Sequence, residues 1–100
     1  MANQQYTVMI AGMAQRGMED YVERYLKQMM EHSRRDPGCL FYNIHRSITE
    51  PREFMLYSVW ENKAVFDQHN QKPEMIEFKK HLAQAMFDLQ SPKTYWTMID

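Results

Sequence analysis

The side chains best suited to moving a proton near neutral pH are the four histidines, His32, His45, His69 and His81. No two stand four apart on a helical stretch and none has a cysteine at ligand spacing, so the pattern supports no metal site. No glycine-rich phosphate loop, dinucleotide fingerprint or Gly-x-Ser-x-Gly elbow is present, which argues against nucleotide cofactors and serine hydrolysis. The expectation is a chain that works without a cofactor. His69, near the end of a short helix, is the candidate catalytic residue: the near-neutral pKa of a histidine suits it, if it acts, to take a phenolic proton and leave an electron-rich anion able to react with oxygen. The same position also suits a histidine that only bonds the last helical carbonyls. Trp60, Tyr42, Tyr57, His45 and Phe66 are the candidate walls of a substrate pocket, with core or dimer packing the other reading of Trp60. His32 and His81, among charged neighbours on helices, read as surface residues. Cys39, the single cysteine, cannot close an internal disulfide and reads as a packed thiol.

These residues need a scaffold, and the stretch EFMLYSVWENKAVFDQHNQKP from Glu53 to Pro73 organises it. From Phe54 to Trp60 nearly every side chain is apolar or aromatic, which predicts a strand buried on both faces. Asn62 is a fair cap for a helix over residues 63–70, and Pro73 opens a further helix to about Leu89, with Met75, Phe78, Leu82, Ala85, Met86 and Leu89 on one side. Upstream, residues 6–13 read as a first strand, in which Gly12 marks a bulge or a close approach. Gln15-Arg16-Gly17 turns the chain. Met18, Tyr21, Val22, Tyr25, Leu26, Met29 and Met30 then lay one apolar stripe along a helix that ends at Asp36-Pro37-Gly38, with Arg34 and Arg35 as its solvated end. Residues 39–47 form a second strand, joined to the third as an antiparallel hairpin. Ser91-Pro92 breaks the last helix before a final strand over residues 95–99.

The order strand, helix, strand, strand, helix, strand, with an extra short helix, predicts an α+β ferredoxin-like βαββαβ sheet with helices on one face, a single domain over residues 1–100. Two long helices cover one sheet face only. The other, rich in aromatic and methionine side chains, predicts a homodimer with sheets packed face to face. Twelve basic against thirteen acidic residues give a net charge of −1, so no electrostatic footprint points to nucleic acid or an anionic membrane. The opening residues have no basic region ahead of their apolar run and soon meet Gln15 and Arg16, which predicts neither a secretion signal nor a membrane span, and a cytoplasmic protein. Because the candidate pocket residues are largely aromatic, Met or Leu, the expected partner is a small aromatic or apolar ligand held mainly by uncharged forces.

The runs Asp36-Pro37-Gly38-Cys39-Leu40-Phe41-Tyr42, His45-Arg46-Ser47, Phe54-Met55-Leu56-Tyr57-Ser58-Val59-Trp60-Glu61 and Phe66-Asp67-Gln68-His69, with Pro73, resemble the antibiotic biosynthesis monooxygenase superfamily over residues 6–98. The resemblance implies a dimeric α+β barrel with a pocket between sheet and helices. It also implies a wide choice of functions: cofactor-free oxidation of quinols or polyphenols, haem degradation, isomerisation, or none assigned. Trp60 matches the tryptophan of the polyketide-oxidising branch, but Leu56 and Phe66 stand where that branch carries asparagine and tyrosine. The haem-degrading branch has a tryptophan at the position of His69 and an axial histidine ten residues on, where this chain has Lys79, and it has an asparagine in the first strand that is missing here. Haem degradation is therefore disfavoured. The quinol-oxidising branch shares Trp60, His69 and the following proline, although its next histidine is Glu74 here. The isomerase branch shares His69 and stays open. The resemblance thus implies a cofactor-independent quinol or polyphenol monooxygenase, or else a binding or stress-response module that holds an apolar ligand without turning it over.

Overall fold

The structure, a computed structural model, describes residues 4–86 and 93–99. Its elements are β1 (Tyr6–Met13), α1 (Glu19–Ser33), β2 (Cys39–Arg46), β3 (Glu53–Trp60), α2 (Lys63–Asn70), α3 (Pro73–Ala85) and β4 (Thr94–Thr97). The four strands form one antiparallel sheet in the order β2-β3-β1-β4, so the fold is the α+β ferredoxin-like arrangement.

Alternation along the strands sorts the side chains. Val8, Tyr42, Phe54, Ser58 and Trp60 point to one face and are buried there with Val22, Leu26 and Met29 of α1 and Met75, Leu82 and Ala85 of α3. The stripe read from the sequence is thus the buried face of α1. The opposite sheet face carries Met9, Phe41 and Trp96, which are 37%, 59% and 55% exposed. This is the uncovered apolar surface expected from the two-sided character of β3.

Local chemistry sets the element ends. Gly17, at φ +84°, makes the turn into α1, a conformation that glycine enters without the steric cost other residues meet. The Asn62 side chain accepts the Val65 N–H at 2.9 Å and starts α2. Lys72 is extended ahead of Pro73, as the residue before a proline prefers, and this breaks α2 from α3.

Several expectations are corrected. Gly12 lies in an unbroken register opposite Phe54 and makes no bulge; the register shift is in β2, between Cys39 and Phe41. The β2 strand stops at Arg46, because the Ser47 hydroxyl accepts the N–H groups of Thr49 and Glu50 and turns the chain. Helix α3 ends at Ala85, where Met86 becomes extended and bridges to Ala14; Leu89, Ser91 and Pro92 lie outside the described residues. The last strand stops at Thr97, opposite Tyr6, where its partner strand begins. Arg34 is no free solvated end: it donates to the Tyr42 carbonyl (2.9 Å) and to Asn43 Oδ1 (2.8 Å), fastening α1 to β2. Among the described residues no helix is long and apolar enough to cross a membrane.

Candidate active site

Between the helices and the covered sheet face lies a cavity of about 350 Å³. This is near the lower end of the roughly 300–1,000 Å³ usual for ligand pockets, so it suits a small molecule. Strand residues such as Tyr42, Leu56 and Ser58 form its floor, and Phe66, His69 and Met75 of α2 and α3 close over them.

His69 is a tightly held polar group of this wall. It is 3% exposed, and its ring lies 4.4 Å from that of Trp60 at an interplanar angle of 40°. Its Nδ1 is 2.6 Å from Asp36 Oδ2, and the other oxygen of Asp36 accepts from the Lys72 ammonium. Asp36 is 9% exposed. Burial pushes its carboxyl up, but the hydrogen bonds from Lys72 and His69 outweigh this and hold it below the usual carboxylate range, so it is an anion. For His69, burial is the larger influence and drives the imidazole below its ordinary value against the pull of Asp36. A neutral imidazole beside a carboxylate carries its proton on the nitrogen that faces it. Nδ1–H therefore donates to Asp36, and Nε2 is left as a lone-pair acceptor, 3.5 Å from the buried Ser33 hydroxyl.

The positions follow from local structure. Asp36 sits in the turn after α1, its N–H donating to the Ser33 carbonyl at 3.0 Å. Two residues later Gly38 adopts φ +86°, and a Cβ placed there would come within 2.6 Å of Val65 Cγ1. The missing side chain lets the turn rest directly on α2. Val65 and His69 are four apart on that helix and share a face.

The sequence-predicted residues are only partly brought together. His69, Tyr42 and Phe66 line the cavity. Burial pushes the Tyr42 phenol far up, so its hydroxyl stays protonated. Trp60 is wholly buried behind this wall, in edge contact with Tyr42 and Phe66, and its indole N–H donates to Ser58 Oγ at 3.1 Å. Tyr57 and His45 do not belong to the cavity. The register pairs Tyr57 with Met9 on the opposite face of the sheet, and alternation from Ser58 and Ile44, which line the cavity, turns Tyr57 and His45 away from it. His81 is no simple surface residue either: it accepts from or donates to the Tyr21 hydroxyl at 3.1 Å and stacks on Tyr25. His32 has a buried Nε2 that no described group meets. Burial pushes the Cys39 thiol up to about 11, which leaves it unreactive, as a packed thiol should be.

Sequence reasoning missed Asp36, Lys72 and Ser33. Ser33 continues the stripe of α1 three residues past Met30 and could have been found by extending that period; Asp36 read only as a helix stop. It also missed Lys79 and Lys93, exposed residues that line the cavity and so stand at its rim. Lys79 Nζ donates to Asn70 Oδ1 at 3.0 Å. The lining is therefore not uniformly uncharged.

The model of the antibiotic biosynthesis monooxygenase family matches residues 5–81, more than half of the chain. The chain belongs to that family. Among solved structures, this antibiotic biosynthesis monooxygenase family member is similar to a Pseudomonas aeruginosa protein at TM-score 0.89 and 18% identity, over 100% of this chain and 99% of that one. It is also similar to a Nitrosomonas europaea protein described as an antibiotic biosynthesis monooxygenase, at TM-score 0.83 and 16% identity, over 98% and 91% of the two chains. At such identities the likeness is one of fold. An uncharacterised Synechocystis protein is 41% identical over 49 residues, which cover 49% of this chain and 33% of that protein's length.

Proposed function

We propose that this chain is a cofactor-independent monooxygenase that oxidises a small quinol or polyphenol in the cavity, with His69 as the base. The observation that carries the reading is the neutral His69 ring in a largely apolar wall, its Nδ1–H held by anionic Asp36 so that Nε2 can accept a proton. A substrate hydroxyl facing Nε2 gives up its proton, and the imidazolium that forms is stabilised by Asp36 in surroundings of low dielectric. The resulting anion is electron-rich enough to reduce dioxygen. One oxygen atom enters a ring C–H bond and the other leaves as water, so a quinol becomes a hydroxyquinone with dioxygen as the only oxidant.

The acting unit in this reading is a homodimer, formed when a second copy covers the outer face around Met9, Phe41 and Trp96. A second functional reading, a module that holds such a ligand without turning it over, is favoured by Leu56 and Phe66. Both line the cavity where the polyketide-oxidising branch carries asparagine and tyrosine.

The test is oxygen uptake by metal-stripped protein offered a panel of quinols, compared with His69→Gln, which retains a hydrogen-bonding side chain. The expected result is uptake by the wild type and a loss of about a hundredfold or more in the variant. Ligand binding with no uptake by either protein would move the assignment to the binding module.

A further inference from the structure

Among the described residues, the charged part of the cavity lining has one sign: Lys79 and Lys93 line it, no described Asp or Glu does, and His69 is neutral. Lys79 occupies an unusual place: Met75, Lys79 and Leu82 follow helical spacing on α3 and all line the cavity, so a lysine interrupts its apolar stripe. An ammonium there loses part of its hydration, and burial followed by the nearby charge of Lys93 pushes its pKa down. Its hydrogen-bond acceptor is the neutral Asn70 amide. Three other lysines have carboxylates beside them, Lys27 with Glu23, Lys63 with Asp67 and Lys72 with Asp36. Among the described residues, neither Lys79 nor Lys93 has one. Two like charges kept at the rim of an apolar cavity repel each other and are relieved by an anion bound between them.

We propose that the ligand of this cavity is an amphipathic anion, an aromatic body carrying one carboxylate, with the carboxylate held at the rim by Lys79 and Lys93 and the ring inside. This rests on the reading of the cavity as the substrate site, and it departs from the expectation that binding is carried by uncharged forces. It also orients the substrate: the anionic end faces solvent, and the hydroxyl to be deprotonated points inward to His69.

The test is calorimetric binding of 2-naphthoate and its uncharged isostere naphthalene-2-carboxamide. The proteins are the wild type, the double variant Lys79→Gln/Lys93→Gln, and Lys27→Gln, a surface control that pairs with Glu23 and does not line the cavity. The expected preference for the carboxylate is about fivefold to tenfold, the scale of two partly exposed ion pairs, falling as salt is added. It should vanish in the double variant through weaker naphthoate binding, with carboxamide binding unchanged, and survive in Lys27→Gln. Equal binding of the two probes, a preference retained in the double variant, or no binding of either would overturn the proposal. Oxygen uptake separates it from the oxygenase reading. Turnover of hydroquinone and of its carboxylated form with equal kcat/KM and no binding preference defeats the anion site alone. A carboxylate preference without any uptake defeats the oxygenase alone.

Discussion

Asp36 Oδ2 lies 2.6 Å from His69 Nδ1 although 33 positions separate the two residues, and both side chains are withdrawn from water. The contact fixes the tautomer of the imidazole and so decides which nitrogen keeps its lone pair.

Asp36→Asn should remove the anion that pulls against burial, and the pKa of His69 should fall further below its ordinary value. Lys72 loses its partner in the same step, and the expected loss of stability is about 1–3 kcal/mol. An NMR titration of the imidazole and a urea midpoint measure the two effects. An unchanged His69 titration in the folded variant would show that the carboxylate does not govern the ring.

Acid should destabilise the fold in two stages. The folded pKa of His69 is below 6.5, so as pH drops through 6.5 toward that value the unfolded chain binds more protons and stability falls. The folded pKa of Asp36 is below 3.8, so its contribution is present above 3.8 and is lost as pH falls through 3.8 toward the folded value. Urea midpoints between pH 8 and 3 would reveal the pattern, and Asp36→Asn should lack the lower stage. Stability that rises between pH 7 and 6 would mean that Asp36 outweighs burial at His69.

Trp60→Ala should cost about 3–5 kcal/mol, the usual range for emptying a buried aromatic site. The indole is fully buried and also satisfies Ser58 Oγ. A loss below about 1 kcal/mol would mean that the space collapses or that the ring is not part of the core.

The outer sheet face predicts a homodimer in solution at low micromolar protein. Met9→Lys on a central strand, or Phe41→Glu, should yield folded monomers in sedimentation, because a buried unpaired charge at such an interface costs several kcal/mol. A wild-type chain that sediments as a monomer, or charged variants that keep the wild-type mass, would defeat this prediction.

The legible parts of the molecule are those written in local pattern. The apolar spacing of α1, the Asn62 cap, the proline opening α3 and the bounds of β1 and β3 all follow from residues near one another in the chain. The faces of β3 were not legible in the same way. Leu56 and Tyr57 are both suited to burial, and only the packing of α1, α2 and α3 decides which side holds the cavity, so the candidate walls come from both faces and Tyr57 and His45 are not among the lining residues. Asp36 was hidden for a related reason. An acidic residue before Pro-Gly usually ends a helix in water, and nothing local records that α2 will return to cover it.

The contact between Gly38 and Val65 gives the turn and α2 a second point of engagement. Helix α2 meets the turn at two pins on one face, Val65 on Gly38 and His69 on Asp36, and a rod held by two pins can neither spin about its axis nor slide past its socket. A side chain added at position 38 would therefore act as a lever. Pivoting on the remaining pin, it would re-aim the imidazole while leaving it in place, and the error would appear as a change of angle before any loss of fold.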